Sequence, residues 1–382
     1  MVFDNFNKSE LSRHTIHTVR TLKIRNRFTR LNGKNACRYE HAYGSEFIAK
    51  ELITNQGAKG WGLSPGNFWD IDHSVDEAVL NCNLSTLFDP AAGVLKKEAG
   101  IFDFALHDLA GQILGIPVFR MLGDLGNNPI PCYDGAILMD DISPDSRPGG
   151  MKAILDACYA DYDLGYRAFK LKVGRAPKWM DTVNGISRDI QVTRMVREHF
   201  PDCDIMVDAN NAYTIETVKM FIDGVKDCNI YWIEEPFKEN LEDFRKLRDY
   251  LSRESPSTLI ADGENDPDID LLFSLVDAGV LDVLQMDINS YGFTPWRALL
   301  PRINETGVHI SPHNWGLKIK THYTANFAAA CTNVLTVEGV VDETEGVDFS
   351  DYYLSEGKIT VPDRSGFGMD LIWGMELFSS HI

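Results

Sequence analysis

The sequence predicts an α/β protein: a (β/α)8 TIM-type barrel with an α+β capping domain formed by the N-terminal segment and the C-terminal tail. Three observations carry that expectation. Short apolar runs and amphipathic stretches alternate eight times through the middle of the chain. A stretch of two-residue alternation, then a helical pattern, precedes them. Nearly every apolar run closes on a polar residue, and these residues recur at regular spacing. The implied division is 1–128 for the cap, 129–349 for the barrel and 350–382 for a segment returning to the cap.

Taken in order, residues 15–65 alternate like antiparallel strands, in "HTIHTVRTLKIRN" and "EFIAKELITNQGAKGWGLS" with a glycine-rich turn. From about Asp70 to Met121 the pattern becomes helical. Ile101, Ala105, Leu106 and Leu109 fall on one helix face, and Gly115 and Pro117 end the helix. After "NNPIPCYDG" come the predicted barrel strands: Cys132–Ile137, Ala168–Val173, Asp204–Val207, Ile230–Ile233, Leu259–Ala261, Val283–Met286, His309–Ile310 and Leu335–Val337. The segment "YYLSEGKITVPDRSGFGMDL" reads as a tail returning to the first domain.

Composition narrows the function. Apolar residues make up 44% of 382, enough for a full core. No apolar run reaches the length of a membrane span, and the first residues lack a signal-peptide core. Seven scattered cysteines with no C-x-x-C pair suit reduced thiols in a cytoplasmic protein and argue against zinc. The net charge of −19 disfavours a nucleic-acid partner. Residues 1–50 run against this, with ten Lys/Arg against four Asp/Glu, a net of +6. That basic segment is either a solvated face or the lining of a site for a small anion.

Barrel active sites lie at the C-terminal ends of the strands. The second predicted strand, "FKLKV", puts Lys170 and Lys172 on one face. The third supplies Asp208 and Asn210, the fourth Glu234 and Glu235, the fifth Glu264, the sixth Asp287, the seventh His313 and the eighth Glu338. From Lys172 onward the steps are 36, 26, 30, 23, 26 and 25 residues, each one βα unit. A lone acid after a strand is usually a helix cap, and a Lys-x-Lys strand usually an exposed edge. Seven strand ends in register point instead to one shared mouth.

The residue types suggest the chemistry. Asp208, Glu234 and Glu264 are hard oxygen ligands on adjacent strands, suited to Mg²⁺. Lys170 and a metal near Lys172 would favour a neutral Lys172, which is then a base. Asp287 and His313, on neighbouring strands, can form a carboxylate–imidazole pair.

These residues resemble the enolase superfamily, specifically its mandelate racemase subgroup. The resemblance covers nearly the whole chain: the "DFALHDLAGQILGIPVFRMLG" helix, Lys170-x-Lys172, the series "VDANN", "WIEEP" and "GEN", the Asp287/His313 pair and Glu338. It implies Mg²⁺ on the substrate carboxylate, removal of the α-proton, and an enediolate stabilised by the metal. It implies Lys172 and His313 as acid/base groups on opposite faces, with Lys170 tuning Lys172 and contacting the carboxylate. Glu338 would hydrogen-bond that carboxylate, and Glu235 would stand behind the ligand Glu234. The segment Arg25–Tyr43 falls where family members carry a substrate-closing loop, so Arg25, Arg27, Arg30, Arg38, Tyr39, His41 and Tyr43 are expected to grip a polar anionic substrate. The tail's "DRSGFGMDL" departs from the family's usual Pro-Gly-Leu-Gly run. A homo-oligomer is also implied.

Fold and family leave the reaction open. Loss of a β-hydroxyl, assisted by His313, would make a dehydratase of a sugar acid or small hydroxydiacid giving a 2-keto-3-deoxy product. Reprotonation from the other face would make a racemase or epimerase, and ring opening or closure a cycloisomerase. A metal-binding relative without catalysis is the alternative of a different class.

Overall fold

The structure is a computed structural model that describes residues 8–41, 43–66, 73–123, 125–372 and 377–381. The expected start of the helical pattern at Asp70 lies outside the described residues.

The cap is built on an antiparallel sheet of three strands in chain order, Ile16–Phe28, Gly44–Thr54 and Lys59–Leu63. Alternation works as expected in the first strand. Ile24, Asn26 and Phe28 are buried on one face, while Arg25 and Arg27 are exposed on the other. Helix Asp103–Leu114 packs on the sheet. Its contact is so close that a Cβ on Gly60 would stand 2.3 Å from the Leu109 Cα, and one on Gly62 would meet Phe104 and Ala105. Only glycine permits that approach. The helix ends at Gly115, which takes the left-handed conformation that a side chain disfavours.

The barrel has eight parallel strands: Ile130–Ile137, Ala168–Lys172, Asp204–Asp208, Ile230–Glu234, Leu259–Asp262, Val283–Leu284, His309–Ile310 and Val337–Gly339. Neighbours in sequence are neighbours in the sheet. The eighth strand pairs with the first, Val337 opposite Cys132, and a bridge between Ile310 and Val334 joins the seventh to the residues that lead into the eighth. Each of the first seven strands is followed by a helix of the outer ring, from Gly150–Asp163 to Lys318–Ala329. The interior is filled by Tyr133, Met206, Trp232, Ala261 and Val283, so the barrel is a packed core beneath its mouth. None of the helices among the described residues is long and apolar enough to cross a membrane.

The expected strands recur with end shifts of one or two residues, the eighth sliding from Leu335–Val337 to Val337–Gly339. The tail is the larger correction. Its return to the cap starts earlier than residue 350, because Asp342–Thr344 already pairs with Asn26–Phe28 of the first cap strand. The hairpin of Tyr353–Ser355 and Lys358–Thr360 then joins the barrel, with Ile359 opposite Ile130. Only afterwards does the chain meet the cap again: Asp108 accepts from the Phe367 backbone N–H at 2.8 Å, and Leu377–His381 pairs with the first cap strand. The two-residue period says that a segment is a strand, but any open sheet edge can receive it.

Candidate active site

The mouth is set by strand register. Lys172 stands opposite Asp208, and Asp208 opposite Glu234, so three strand-end residues share one height. Inward alternation brings Lys170 to the layer below. The ligand oxygens of Asp208, Glu234 and Glu264 lie within 4.8 Å of one another. All are hard carboxylate donors, and Glu264 Oε2 is buried with no hydrogen-bond partner. Such a set, with an unsatisfied anionic oxygen, fits a divalent cation that prefers oxygen ligands, Mg²⁺ above all.

Around the three carboxylates the charges are dense. Lys170 Nζ is fully buried, 2.7 Å from Glu234 Oε1, 2.9 Å from Glu338 Oε1 and 3.8 Å from Asp208 Oδ2. Burial lowers its proton affinity, but Glu234 and Glu338 outweigh that and hold it well above the ordinary lysine value. Lys172 contacts Asp208 Oδ2 directly. Burial and Lys170 do lower its proton affinity, yet the Asp208 carboxylate overrides both and raises it.

On strands six and seven, His313 Nδ1 is 2.9 Å from Asp287 Oδ2. His313 Nε2 faces Glu264 Oε2 at 3.5 Å and Glu338 Oε2 at 3.6 Å. Burial pulls the imidazole down, but Glu264, Glu338 and Asp287 push it up to about 9. Asp287 is held below the ordinary carboxylate range: burial raises it, while Lys320 and His313 together overcome that. Its side chain also caps the short helix Ile288–Tyr291, where Oδ1 accepts from the Asn289 and Ser290 backbone N–H groups. The cap and the dyad are therefore the same side chain.

Asn210 and Glu235 stand one step behind the ligands. Asn210 Nδ2 donates to Glu235 Oε2 at 3.2 Å, and the Asn210 backbone N–H donates to Asp208 Oδ1 at 2.9 Å. Both residues adopt positive φ, about 41°, a strain that buried partners hold in place. Burial and the neighbouring Glu264 carboxylate push Glu235 up to about 8.

The structure adds partners that the sequence reading left out. Glu234 Oε2 accepts from Trp232 Nε1 at 3.0 Å and Gln285 Nε2 at 2.9 Å. Glu338 Oε2 accepts from the Asn314 backbone N–H at 2.8 Å. Lys320 Nζ lies 3.4 Å from Asp287 Oδ2. Gln285 could have been found, because it directly follows the sixth strand and precedes Asp287 by two residues. Lys320 sits in a helix, where no strand-end signal exists.

The N-terminal loop divides. Arg25 and Arg27 lie on the cap face away from the barrel, and Arg25 pairs with Glu46 at 2.7 Å. Their expected grip on substrate is therefore not what the strand provides, since alternation points Asn26 and Phe28 to the barrel instead. Arg30 is held by Asp161 at 2.5 Å, on the outside of the barrel. Tyr39 is 63% exposed, its ring edge-on to Trp179 at 5.0 Å, and Tyr43 is equally exposed. Arg38 is exposed as well. His41 is the loop residue brought to the mouth: its ring packs edge-on against Trp315 at 4.7 Å, and the Lys172 charge acts on it.

Comparison with known proteins agrees with this geometry. A family model described as enolase C-terminal domain-like matches residues 153–374. D-galactarolactone cycloisomerase of Agrobacterium fabrum is 27% identical over 285 residues, 70% of each chain. The crystal structure of galacturonate dehydratase from Geobacillus sp., complexed with D-galacturonate and 5-keto-4-deoxy-D-galacturonate, superposes with a TM-score of 0.87 at 29% identity. It covers 94% of this chain and 95% of that one. A mandelate racemase/muconate lactonizing protein from Geobacillus sp., complexed with magnesium and tartrate, gives the same TM-score and identity over 94% and 93%. A barrel closed in this order, a carboxylate triad at its mouth and a family match over more than half its length make the chain a member of the enolase superfamily, among relatives of the mandelate racemase and sugar acid dehydratase kind.

Proposed function

We propose that this protein is a Mg²⁺-dependent dehydratase of a sugar acid. The observation that carries the reading is the pairing of a buried lysine, Lys172, with a buried imidazole–carboxylate dyad, His313–Asp287, around one carboxylate triad. The galacturonate dehydratase likeness supports it at 29% identity. Asp208, Glu234 and Glu264 would hold Mg²⁺, which when bound supplies positive charge to the substrate carboxylate as the α-proton leaves.

The chain's own groups do the rest. Lys172 accepts the α-proton once the charge of Asp208 is taken up elsewhere, because that carboxylate is what holds its proton on; Lys170 then remains as the neighbour that favours the neutral amine. The electrons of the broken C–H bond form a C=C bond as the β C–O bond breaks. His313, paired with Asp287, gives its proton to the departing hydroxyl, which leaves as water. Asp287 keeps the ring oriented through Nδ1. The enol product tautomerises to a 2-keto-3-deoxy acid. Lys170 and Glu338 orient the substrate carboxylate and balance each other's charge.

A cycloisomerase is the second reading, favoured by the 27% identity to D-galactarolactone cycloisomerase. Incubation with Mg²⁺ and a panel of sugar acids, followed by semicarbazide assay for 2-keto acid and repeated in D₂O, separates the cases. Keto acid formed from an open sugar acid is the expected result. Lactone conversion without keto acid supports cycloisomerisation, and α-deuterium alone supports a racemase or epimerase. No conversion and no exchange across the panel would leave only a binding protein.

A further inference from the structure

The first barrel strand carries a glycine that neither the fold nor the chemistry above uses. The strand is irregular there. Asp134 stands opposite Phe169 and Ile137 opposite Leu171, so three steps on one strand match two on its neighbour. Gly135 and Ala136 lie in that bulge, a feature that re-aims a strand beside a site. Side chains hold it. Asp134 Oδ1 accepts from the Ala136 backbone N–H at 2.8 Å, and Arg30 Nη2 donates to the Ala136 carbonyl oxygen at 3.3 Å. The same guanidinium is fixed by buried Asp161, with Nη1 2.7 Å from Oδ1.

The backbone itself does not demand glycine at 135, because its φ lies outside the left-handed region. Space does. A Cβ there would stand 2.3 Å from Glu338 Oε1, 2.6 Å from its Cγ and 2.8 Å from its Cδ. All three lie well inside van der Waals contact. An exposed glutamate would swing aside. Glu338 is fully buried and held at both oxygens: Oε1 lies 2.9 Å from Lys170 Nζ, and Oε2 accepts from the Asn314 backbone N–H at 2.8 Å. A side chain at 135 and the Glu338 carboxylate in this place exclude each other.

We propose that Gly135 is a positioning residue for the reaction: its missing side chain is the space through which Glu338 reaches Lys170. A side chain at 135 pushes the Glu338 carboxylate off Lys170 and off the substrate carboxylate. The inference rests on the dehydratase reading for the role of Glu338 at the substrate, and on the packing alone for its position.

The test uses full-length Gly135→Ala, Glu338→Ala and the double variant. Glu338→Ala removes every atom that the new Cβ would meet. In urea unfolding, Gly135→Ala should lower the midpoint in the wild type, yet leave it unchanged or raise it in the Glu338→Ala background, where alanine also restricts the unfolded chain. On the sugar acid that the wild type converts, Gly135→Ala should lower kcat/KM about tenfold or more. The loss should fall chiefly in kcat, because negative charge grows on the substrate carboxylate as the α-proton leaves. Equal losses of midpoint in both backgrounds would put the cost in the backbone, and no loss in either would mean that the Cβ is accommodated. Either result overturns the inference, as does near-wild-type kcat in Gly135→Ala. If Gly135→Ala does not fold, the double variant should; failure of both to fold also overturns it. A wild type that forms no keto acid from any sugar acid would overturn the dehydratase reading, while the unfolding comparison still decides the positioning.

Discussion

Two strands of this protein carry nearly the same pattern and have opposite fates. In the barrel, "FKLKV" alternates apolar residues with Lys170 and Lys172; in the cap, "KIRNRF" alternates Ile24, Asn26 and Phe28 with Lys23, Arg25 and Arg27. Both put cations two residues apart on one face. The lysines are buried among Asp208, Glu234 and Glu338, while the arginines face outward and Arg25 meets Glu46. The difference comes from what covers each face. A barrel strand has helices outside and the closed interior inside, so its cations point into an enclosed mouth. The cap strand has one face against the barrel and one in water, and its cations take the wet side.

Four predictions test that contrast. The largest effect is expected for Lys172→Met, which should lower kcat on the preferred sugar acid by about 10²–10⁴-fold, the range for losing a positioned acid/base group, with an unchanged circular-dichroism spectrum. Near-wild-type turnover in this variant would remove the lysine from the chemistry. Lys170→Met should act on stability first. It leaves Glu234 and Glu338 buried beside no cation, a loss of about 3–5 kcal/mol by urea unfolding. If the loss is well under that range, the lysine's burial is not what the ion pairs sustain.

A third prediction concerns pH. Burial pushes Asp108 up to about 7, against an ordinary 3.8, although the Phe367 and Trp61 backbone N–H groups that it accepts from act the other way. The folded protein thus holds this proton up to about pH 7, whereas the unfolded chain releases it near pH 4. Between those values the folded state binds more protons, so its stability falls as pH rises. Asp108→Asn should flatten that part of the stability profile, read as urea midpoints from pH 4 to 7; an unchanged slope would exclude Asp108 as its source. The smallest effect belongs to Arg25→Ala and Arg27→Ala, each expected to change kcat/KM by less than about threefold. A large rise in KM in either would place these side chains back at the substrate.

How much was legible follows the same line. The triad and the dyad could be read because a parallel barrel turns sequence into geometry: one strand end per βα unit, every end in the same ring. Asp208, Glu234, Glu264, Asp287, His313 and Glu338 needed only that spacing. Lys320 could not be read, since it reaches Asp287 from a helix, and neither could Trp315 against His41, a contact between residues 274 positions apart in the chain. Lys172 was read beside Lys170 but not against Asp208, for a related reason. Its nearest neighbour in strand register is Asp208, and a direct carboxylate contact outweighs a second lysine.

The sequence by itself determined the barrel, the order of its strands and the ring of charged ends, because periodicity and spacing are local properties that the chain carries wherever it folds. Only the tertiary structure decided which face of each strand is enclosed, where the tail pairs, and which loop residue meets the mouth. Those depend on what covers a surface, and the cover is supplied by residues hundreds of positions away.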